Sequence, residues 1–333
     1  MVWGMKKASA LMFREHGNPA EVLRLETIEV RDPQPGEVLL EMLASPINPA
    51  NLNVIEGTYA RLPALPAIAG GEGAGVVVSV GEGVTEVEPG QVVILPFGEG
   101  TWCSLGVRKA SDLVVVPDGI SAGQASMLRV NPPTAWHLLR DFVKLEPGEW
   151  VLQNAANSGV GRAVIDIARS LGLRTVNVVR RPELIEELKA AGGDVVLLDT
   201  RELAKETAAA TGNAKIRLAF NAVGGDSALN LAKTVAEGAT IVTYGAMSKQ
   251  AIKIPNGLLI FKDLVWRGCW ITRWYETASR EEMLEMYSHL FPLAQRGLLH
   301  APVEKAYALS DFVEAITRAQ AGERAGKILF NRF

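Results

Sequence analysis

The run Gln153-Asn-Ala-Ala-Asn-Ser-Gly-Val-Gly161 joins small residues with amide and hydroxyl side chains, a composition suited to close backbone approach. If it opens a helix, the free amides of the first turn can hold a pyrophosphate. Aligned on Gly161, the pattern G-x-G-x-x-G is matched imperfectly, with Ala156 at the first glycine, Ser158 at the second and Gly159 following. Any tight strand-to-helix turn favours such residues, so a plain structural turn is the competing reading. About 20 residues on, dinucleotide folds place an acid that accepts from the ribose 2′-hydroxyl of NAD. Here Arg180-Arg181 stands instead. Guanidinium groups pair with a 2′-phosphate, which favours NADPH over NADH, unless the two arginines are only a solvated surface pair. His16, His137, His289 and His300 show no paired ligand spacing and are read as surface or packing residues. Cys103 and Cys269 are too few for a disulfide framework or a multi-cysteine zinc module.

The elements that must hold this loop are legible in the hydrophobic period. Trp150 to Gln153 reads as a strand, and Val160 to Leu171 as a helix with apolar residues at 160, 164, 167, 168 and 171 before Gly172. Strand Arg174 to Val179, helix Pro182 to Ala191 and strand Val195 to Leu198 follow, a βαβαβ order that requires a parallel sheet. Leu218 to Asn221, Thr240 to Tyr244 and Asp263 to Ile271 continue it as strands, with Ser227 to Val235 as a helix. The first third differs: Val38 to Leu43, Gly75 to Val80 and Val92 to Leu95 are short strands between Pro/Gly turns without long helices, as in an antiparallel β module. Beyond Ser279 the chain turns helical. Val303 to Ala308, the helix-like Ser310 to Ala321 and the strand-like Lys327 to Phe330 are expected to rejoin the first module.

The chain has 333 residues, enough for two domains with separate cores. With 34 basic and 37 acidic residues, a net charge of −3 gives no nucleic-acid or membrane-surface footprint. Hydrophobic residues at 48% and charged residues at 21% exclude a disordered or collagen-like chain. No apolar run reaches the roughly 18 residues of a membrane span. Met1 to Lys7 shows no signal or transit character, so a cytoplasmic location is expected.

Several longer stretches carry a family likeness. They are Pro46-Ile-Asn-Pro-Ala-Asn-Leu-Asn53, Glu56-Gly-Thr-Tyr59, Leu65 to Gly73, Val130-Asn-Pro-Pro-Thr-Ala135, Gln153 to Gly161, Thr175 to Arg180, Asn221 to Gly225, Val242 to Met247 and Leu259 to Leu264. In these the chain resembles the zinc-free trans-2-enoyl thioester reductases of the medium-chain dehydrogenase/reductase superfamily. The resemblance implies a Rossmann doubly wound parallel sheet domain, residues 128–271, plus a mostly β GroES-like catalytic domain made of 1–127 and 272–333. It implies NADPH as cofactor, an enoyl-CoA or enoyl-acyl-carrier-protein substrate and a homodimer. Zinc relatives carry a Cys where Asn48 stands and a His where Gly71 stands, so no metal is expected.

Without zinc, another acid must meet the charge that develops on an enoyl thioester, and a tyrosine suits that step. The resemblance gives this role to Tyr59 of the Gly57-Thr-Tyr59 element, with Asn48 or a cofactor ribose hydroxyl as the next donors. It places Asn131 and Thr134 against the cofactor, Asn157, Ser158, Gly159 and Val160 at the phosphates, and Tyr244, Gly245, Ala246 and Met247 at the nicotinamide half. Cys269, Trp270 and Ile271 are expected near the nicotinamide and Lys327 on the cofactor, although Trp270 could equally be core or interface packing. Ala246 departs from a frequent glycine, and Arg180-Arg181 lacks an intervening residue that some relatives have. A quinone or enone reductase would use the same loop, and a nucleotide-binding protein without catalysis is a third reading. The apolar Leu264 to Ile271, with Val265, Trp266 and Trp270, is expected to pair with a twin at a sheet edge.

Overall fold

The computed structural model describes residues 5–321 and 324–333, so residues 1–4 of the segment read for targeting signals lie outside it. Along the chain come β1 (Lys6–Phe13), α1 (Pro19–Val22), β2 (Arg24–Val30), β3 (Glu37–Pro46), α2 (Pro49–Glu56), β4 (Ala67–Ile68), β5 (Ala74–Val80), β6 (Val92–Ile94), β7 (Leu105–Lys109), β8 (Val114–Val115) and α3 (Ala122–Ala125). Then follow α4 (Asn131–Arg140), β9 (Trp150–Gln153), α5 (Gly159–Ser170), β10 (Arg174–Val179), α6 (Leu184–Ala190), β11 (Val195–Leu198), α7 (Leu203–Thr211), β12 (Leu218–Asn221), α8 (Gly225–Thr234), β13 (Thr240–Thr243), α9 (Asn256–Lys262), β14 (Val265–Gly268) and α10 (Ile271–Tyr275). The chain closes with α11 (Arg280–Gln295), β15 (Val303–Ala308), α12 (Phe312–Gln320) and β16 (Lys327–Arg332).

These elements form two compact units. One comprises Met1–Val130, Ser279–Gln295 and His300–Phe333; the other comprises Asn131–Ala278 and Arg296–Leu299. In the first, β3 is the organising strand: β5 and β7 pair with it antiparallel, and the returning β16 joins it through Leu329 opposite Pro46 and Phe330 opposite Ser45. The C-terminal segment thus rejoins the first module. A separate three-stranded sheet, in the order β2-β1-β4, supplies Leu11 and Phe13 to a core that also takes Ile55 of α2, Trp102 and Phe330.

The second unit is a six-stranded parallel sheet in the order β11-β10-β9-β12-β13-β14. Both faces are covered, which is why its strands read as continuous apolar runs rather than as an alternation. In β10, Val176 and Val178 enter one core cluster with Leu203 and Leu231, while Val179 enters another with Ile165 and Leu188. Helix α5 starts where Ser158 accepts from the Gly161 amide at 3.1 Å, the side-chain cap that such a terminus needs. Its apolar stripe, Val160, Val164, Ile167 and Ala168, is buried as the helical period requires.

The expected strand Asp263 to Ile271 is corrected by the structure. Asp263 has φ of 47° and caps α9, and Ile271 already opens α10, so only Val265–Gly268 pairs with β13. Helix α4 had no sequence signal because Pro132 and Pro133 argue against a helix, yet both sit in its first turn, where no intrahelical N–H is needed.

Candidate active site

In the second unit the direction of winding reverses between β9 and β12, and open α/β sheets bind ligands at such a switch point, outside the carboxyl ends of the strands. The sequence prepares this end with amides in otherwise apolar strands. Asn154 donates to Asn221 Oδ1 at 3.0 Å and to Ser227 Oγ at 2.8 Å, while its oxygen accepts from the Ala222 amide at 2.7 Å. Gln153 donates to the Gly161 carbonyl at 2.9 Å and to Asn177 Oδ1 at 2.7 Å. All four amide residues are fully buried, so these bonds fix the strand ends and the start of α5 as one lattice.

Close packing explains the glycines of the loop. A Cβ on Gly161 would lie 2.5 Å from the Ala156 carbonyl oxygen, and one on Gly159 would lie 2.7 Å from Asn131 Nδ2. The third glycine of the motif is thereby required, whereas Ser158 at the second position acts as the helix cap. Asn131 and Thr134 come to the loop on the first turns of α4, and Thr134 is buried. The segment Tyr244 to Met247 is held beside β12 by the Tyr244 amide on Asn221 O and the Met247 amide on Ala222 O, at 3.0 and 2.9 Å. Cys269 follows through its amide on Thr243 O at 2.9 Å. The structure therefore gathers Asn131, Asn157 to Val160, Tyr244 to Met247 and Cys269 at one end of the sheet, with Trp270 and buried Ile271 continuing from Cys269.

Two buried polar atoms in this cluster are incompletely satisfied: Asn131 Nδ2 has no hydrogen-bond partner, and the Tyr244 hydroxyl has at most a poorly formed contact with Ser158. Buried polar groups without partners are rare, and here they flank a capped helix N-terminus with no room for a Cβ. That arrangement fits a nicotinamide dinucleotide, which would supply the missing partners. Burial pushes the Cys269 thiol up to about 11, so it is present as the neutral thiol near neutral pH. Arg180 and Arg181 lie at the end of β10. Arg180 is exposed, and Arg181 rests on Glu183 at 3.4 Å in a surface pair of the kind worth about 0–1 kcal/mol. His137 is buried, with Nδ1 2.7 Å from Asp141 Oδ2 and its ring on Trp274, in keeping with a packing role.

In the first unit, α2 carries a candidate residue at each end. Asn48 precedes the helix, its amide donating to Asn51 Oδ1 at 2.8 Å, and Gly57 ends it with φ of 80°, turning the chain into Thr58 and Tyr59. Eight residues at about 1.5 Å each separate the two ends by about 12 Å. Asn48 donates from Nδ2 to Glu72 Oε1 at 2.6 Å and accepts the Lys327 ammonium on Oδ1 at 2.5 Å. Glu72 is fully buried, and its other oxygen accepts from the Val130 amide at 3.0 Å. Asn48 is thus a bridge between two charges, with Oδ1 and one N–H of Nδ2 committed to them.

The same contacts test the family's metal. Both polar ends of Asn48 are engaged, and a Cβ on Gly71 would already meet Asn51 Nδ2 at 2.5 Å, so these positions do not fit zinc. Among the described residues, no group of three or more His, Cys, Asp or Glu could hold a metal ion. Asn48 and Glu72 lie in the stretches Pro46 to Asn53 and Leu65 to Gly73 singled out from sequence, but their pairing with each other and with Lys327 was not; the one available signal is an acid inside the glycine-rich run Gly70 to Gly73.

Residues 34–138 match the alcohol dehydrogenase GroES-like domain and residues 159–289 match the zinc-binding dehydrogenase family. The chain is 43% identical over 322 residues to the mitochondrial enoyl-acyl-carrier-protein reductase of Xenopus tropicalis, covering 94% of this chain and 92% of that protein. It belongs to the enoyl-acyl-carrier-protein reductase family of the medium-chain dehydrogenase/reductases. Among solved structures, a complex of Etr1p with NADP and crotonyl-CoA superposes with a TM-score of 0.88 at 28% identity, covering 98% of this chain and all of that one. A candidate NADPH:quinone reductase from Bacillus thuringiensis superposes with a TM-score of 0.91 at 27% identity, with the same coverage. No helix among the described residues is long and apolar enough to cross a membrane.

Burial pushes the Glu72 carboxyl above its ordinary 4.5, and the Lys327 ammonium opposes that rise. Lys327→Met removes the opposing charge, so the carboxyl titrates higher still. A carboxyl raised on folding contributes stability that is present below its unfolded pKa and is lost as pH rises through the folded value. The variant should therefore lose little at pH 5 and much more at pH 8, approaching the roughly 3–5 kcal/mol of an uncompensated buried charge. Thermal unfolding at the two pH values checks this; an equal loss at both would contradict it, and Glu72→Gln/Lys327→Met should be insensitive to pH.

Proposed function

We propose that this protein reduces the 2,3 double bond of trans-2-enoyl thioesters of CoA or acyl-carrier protein, using NADPH. The observation that carries the reading is the pair of buried, incompletely satisfied polar atoms on Asn131 and Tyr244 beside the capped N-terminus of α5, in a chain related to enoyl-acyl-carrier-protein reductases. When bound, NADPH supplies the hydride that adds to Cβ. As Cβ is reduced, negative charge builds on Cα and on the carbonyl oxygen. Tyr59 hydrogen-bonds this developing enolate and delivers the proton to Cα, directly or through a water.

The binding residues follow the cluster described above. Asn157, Ser158, Gly159 and Val160 hold the phosphates at the start of α5, and Arg180 and Arg181 take the 2′-phosphate. Asn131, Thr134, Tyr244, Gly245, Ala246, Met247, Cys269, Trp270 and Ile271 line the remainder, and Lys327 is a further cofactor contact in the same reading. Quinone or enone reduction is the second reading, favoured by the Bacillus thuringiensis likeness. A cytoplasmic location belongs to the same proposal on composition, although the relatives of this family described above are named mitochondrial.

A homodimer completes the reading. Strand β14 is the open edge of the parallel sheet, and next to it in sequence α9 buries none of its residues: Ile260 is 68% and Phe261 80% exposed. An unpaired edge flanked by such apolar surface is an aggregation hazard unless covered, and a twin edge related by a twofold axis covers it. In the related Candida tropicalis reductase, Etr1p and Etr2p form a heterodimer.

Three measurements test these proposals. Tyr59→Phe keeps the ring and deletes the hydroxyl, so kcat for crotonyl-CoA should fall about 10²- to 10⁴-fold with NADPH affinity nearly unchanged; wild-type turnover with chemistry rate-limiting would remove Tyr59 from the role. Replacing Arg180 and Arg181 with alanine should weaken the preference for NADPH over NADH by roughly 10- to 150-fold, toward the low end for exposed arginines. An unaltered ratio of kcat/KM values would make them bystanders. Sedimentation at micromolar concentration should give twice the chain mass, with Ile260→Glu/Phe261→Glu shifting it to the single chain; a wild-type monomer refutes the dimer.

A further inference from the structure

The loop that carries Tyr59 has little burial of its own to hold it. Residues 60–66 are all exposed, Leu62 and Leu65 among them, so no core fixes the loop from within. Its order rests on its two ends, and both ends meet one short segment of the first unit, Phe13 to His16. At the far end, Ala67 of β4 pairs antiparallel with Phe13, the last residue of β1. At the near end, where α2 gives way to the loop, His16 lies against Gly57: a Cβ on that glycine would stand 3.0 Å from both Cβ and Cγ of the histidine. Glycine is therefore required there twice over, by its φ of 80° and by the imidazole seated on its backbone.

A helix leaves its final four carbonyls without intrahelical donors. In α2 those of Asn53 and Val54 are met by the turn itself, through the amides of Thr58 at 2.9 Å and Gly57 at 3.2 Å. The Ile55 carbonyl is met from outside the helix, by the Gly17 amide at 3.1 Å and by His16 Nδ1 at 3.3 Å. A carbonyl only accepts, so this contact requires the imidazole to carry a proton on Nδ1. The ring in turn leans on Phe13, with centroids 5.9 Å apart at 54°, and Phe13 is buried in the same core as Ile55. Resting on the assignment of Tyr59 as proton donor, we infer that His16 is a positioning residue for it: by bonding the Ile55 carbonyl and seating on Gly57, it holds the turn from α2 into the Tyr59 loop in one conformation. Its effect reaches the reaction only through the tyrosine hydroxyl, where a misplacement of about 1 Å can cost as much as 10²-fold in rate.

The variants that test this separate positioning from plain packing. His16→Ala removes donor and ring; His16→Phe keeps a ring against Phe13 without a donor; His16→Asn places an amide nitrogen at the δ position that Nδ1 held; and His16→Ala is also combined with Tyr59→Phe. For each, kcat with crotonyl-CoA, the NADPH dissociation constant by fluorescence and amide hydrogen exchange across residues 53–60 of the ligand-free protein are measured. His16→Ala and His16→Phe should lower kcat by about 2- to 12-fold, the worth of one hydrogen bond, with NADPH binding unchanged. The same two should speed exchange at Gly57 and Thr58, whose amides close the turn, and His16→Asn should restore both readouts. In the Tyr59→Phe background, His16→Ala should cost nothing further, because the hydroxyl it positions is already gone. Exchange unaltered by His16→Ala, or a loss of kcat that recurs at full size without the tyrosine hydroxyl, overturns the inference. Faster exchange in His16→Ala, together with Tyr59→Phe turning over like wild type, would instead fail the proposed donor and leave His16 standing as the clasp of its loop.

Discussion

A carboxylate without solvent exposure must find its partners inside the protein, and in the first unit that requirement draws three distant stretches of chain to one point. Glu72 lies in the glycine run before β5, Asn48 at the turn between β3 and α2, and Lys327 at the start of β16, 279 residues after Asn48. Isolated buried charges cost several kcal/mol each, and only the combination of opposite charge, a bridging amide and a backbone donor offsets that. The discontinuous course of the first unit follows from the same constraint. The lysine reaches Asn48 only because the C-terminal strand returns to β3 in a single register, and slipping by one residue would turn its side chain to the other face.

The second unit meets its functional demand with neutral polarity. Gln153, Asn154, Asn177 and Asn221 are buried at or near the carboxyl ends of three neighbouring strands, bonded to each other, to the α5 backbone and to the loops that follow. Such a network rigidifies only when nearly all its members are satisfied. Gln153 Oε1 within it and Asn131 Nδ2 beside it are buried polar atoms without a hydrogen-bond partner, and the Tyr244 hydroxyl beside it is incompletely satisfied. Rigid strand ends and close glycine contacts hold them still, and that preorganisation lowers the cost of binding a flexible dinucleotide.

The family likeness and the chemistry of the site pull apart at one place. Residues 159–289 match a family described as zinc-binding, yet Asn48 is committed to Glu72 and Lys327, and Gly71 is hemmed in by Asn51 and Phe97. Fold and metal are separable properties, because a scaffold held by sheet pairing and apolar cores does not need the ion to stand.

Sequence by itself determined the parallel sheet, the small-residue loop before α5 and the arginine pair after β10, because each is a local pattern: hydrophobic period, turn chemistry and the identity of residues at a strand end. Strands β10, β11 and β12 lie where the apolar runs place them, to the residue. The likeness of longer stretches added the enoyl reductase family. Tertiary structure alone decided the rest. Helix α4 runs through Pro132 and Pro133 because its first turn needs no donors from them, and the strand expected over Asp263 to Ile271 shrank to four residues because a left-handed Asp263 ends one helix and Ile271 begins another. Most of all, nothing in the order of residues ties Asn48 and Glu72 to Lys327. Their meeting is set by the register of a strand pair across almost the whole chain, and that information is long-range by nature: it exists only once β16 has returned to β3.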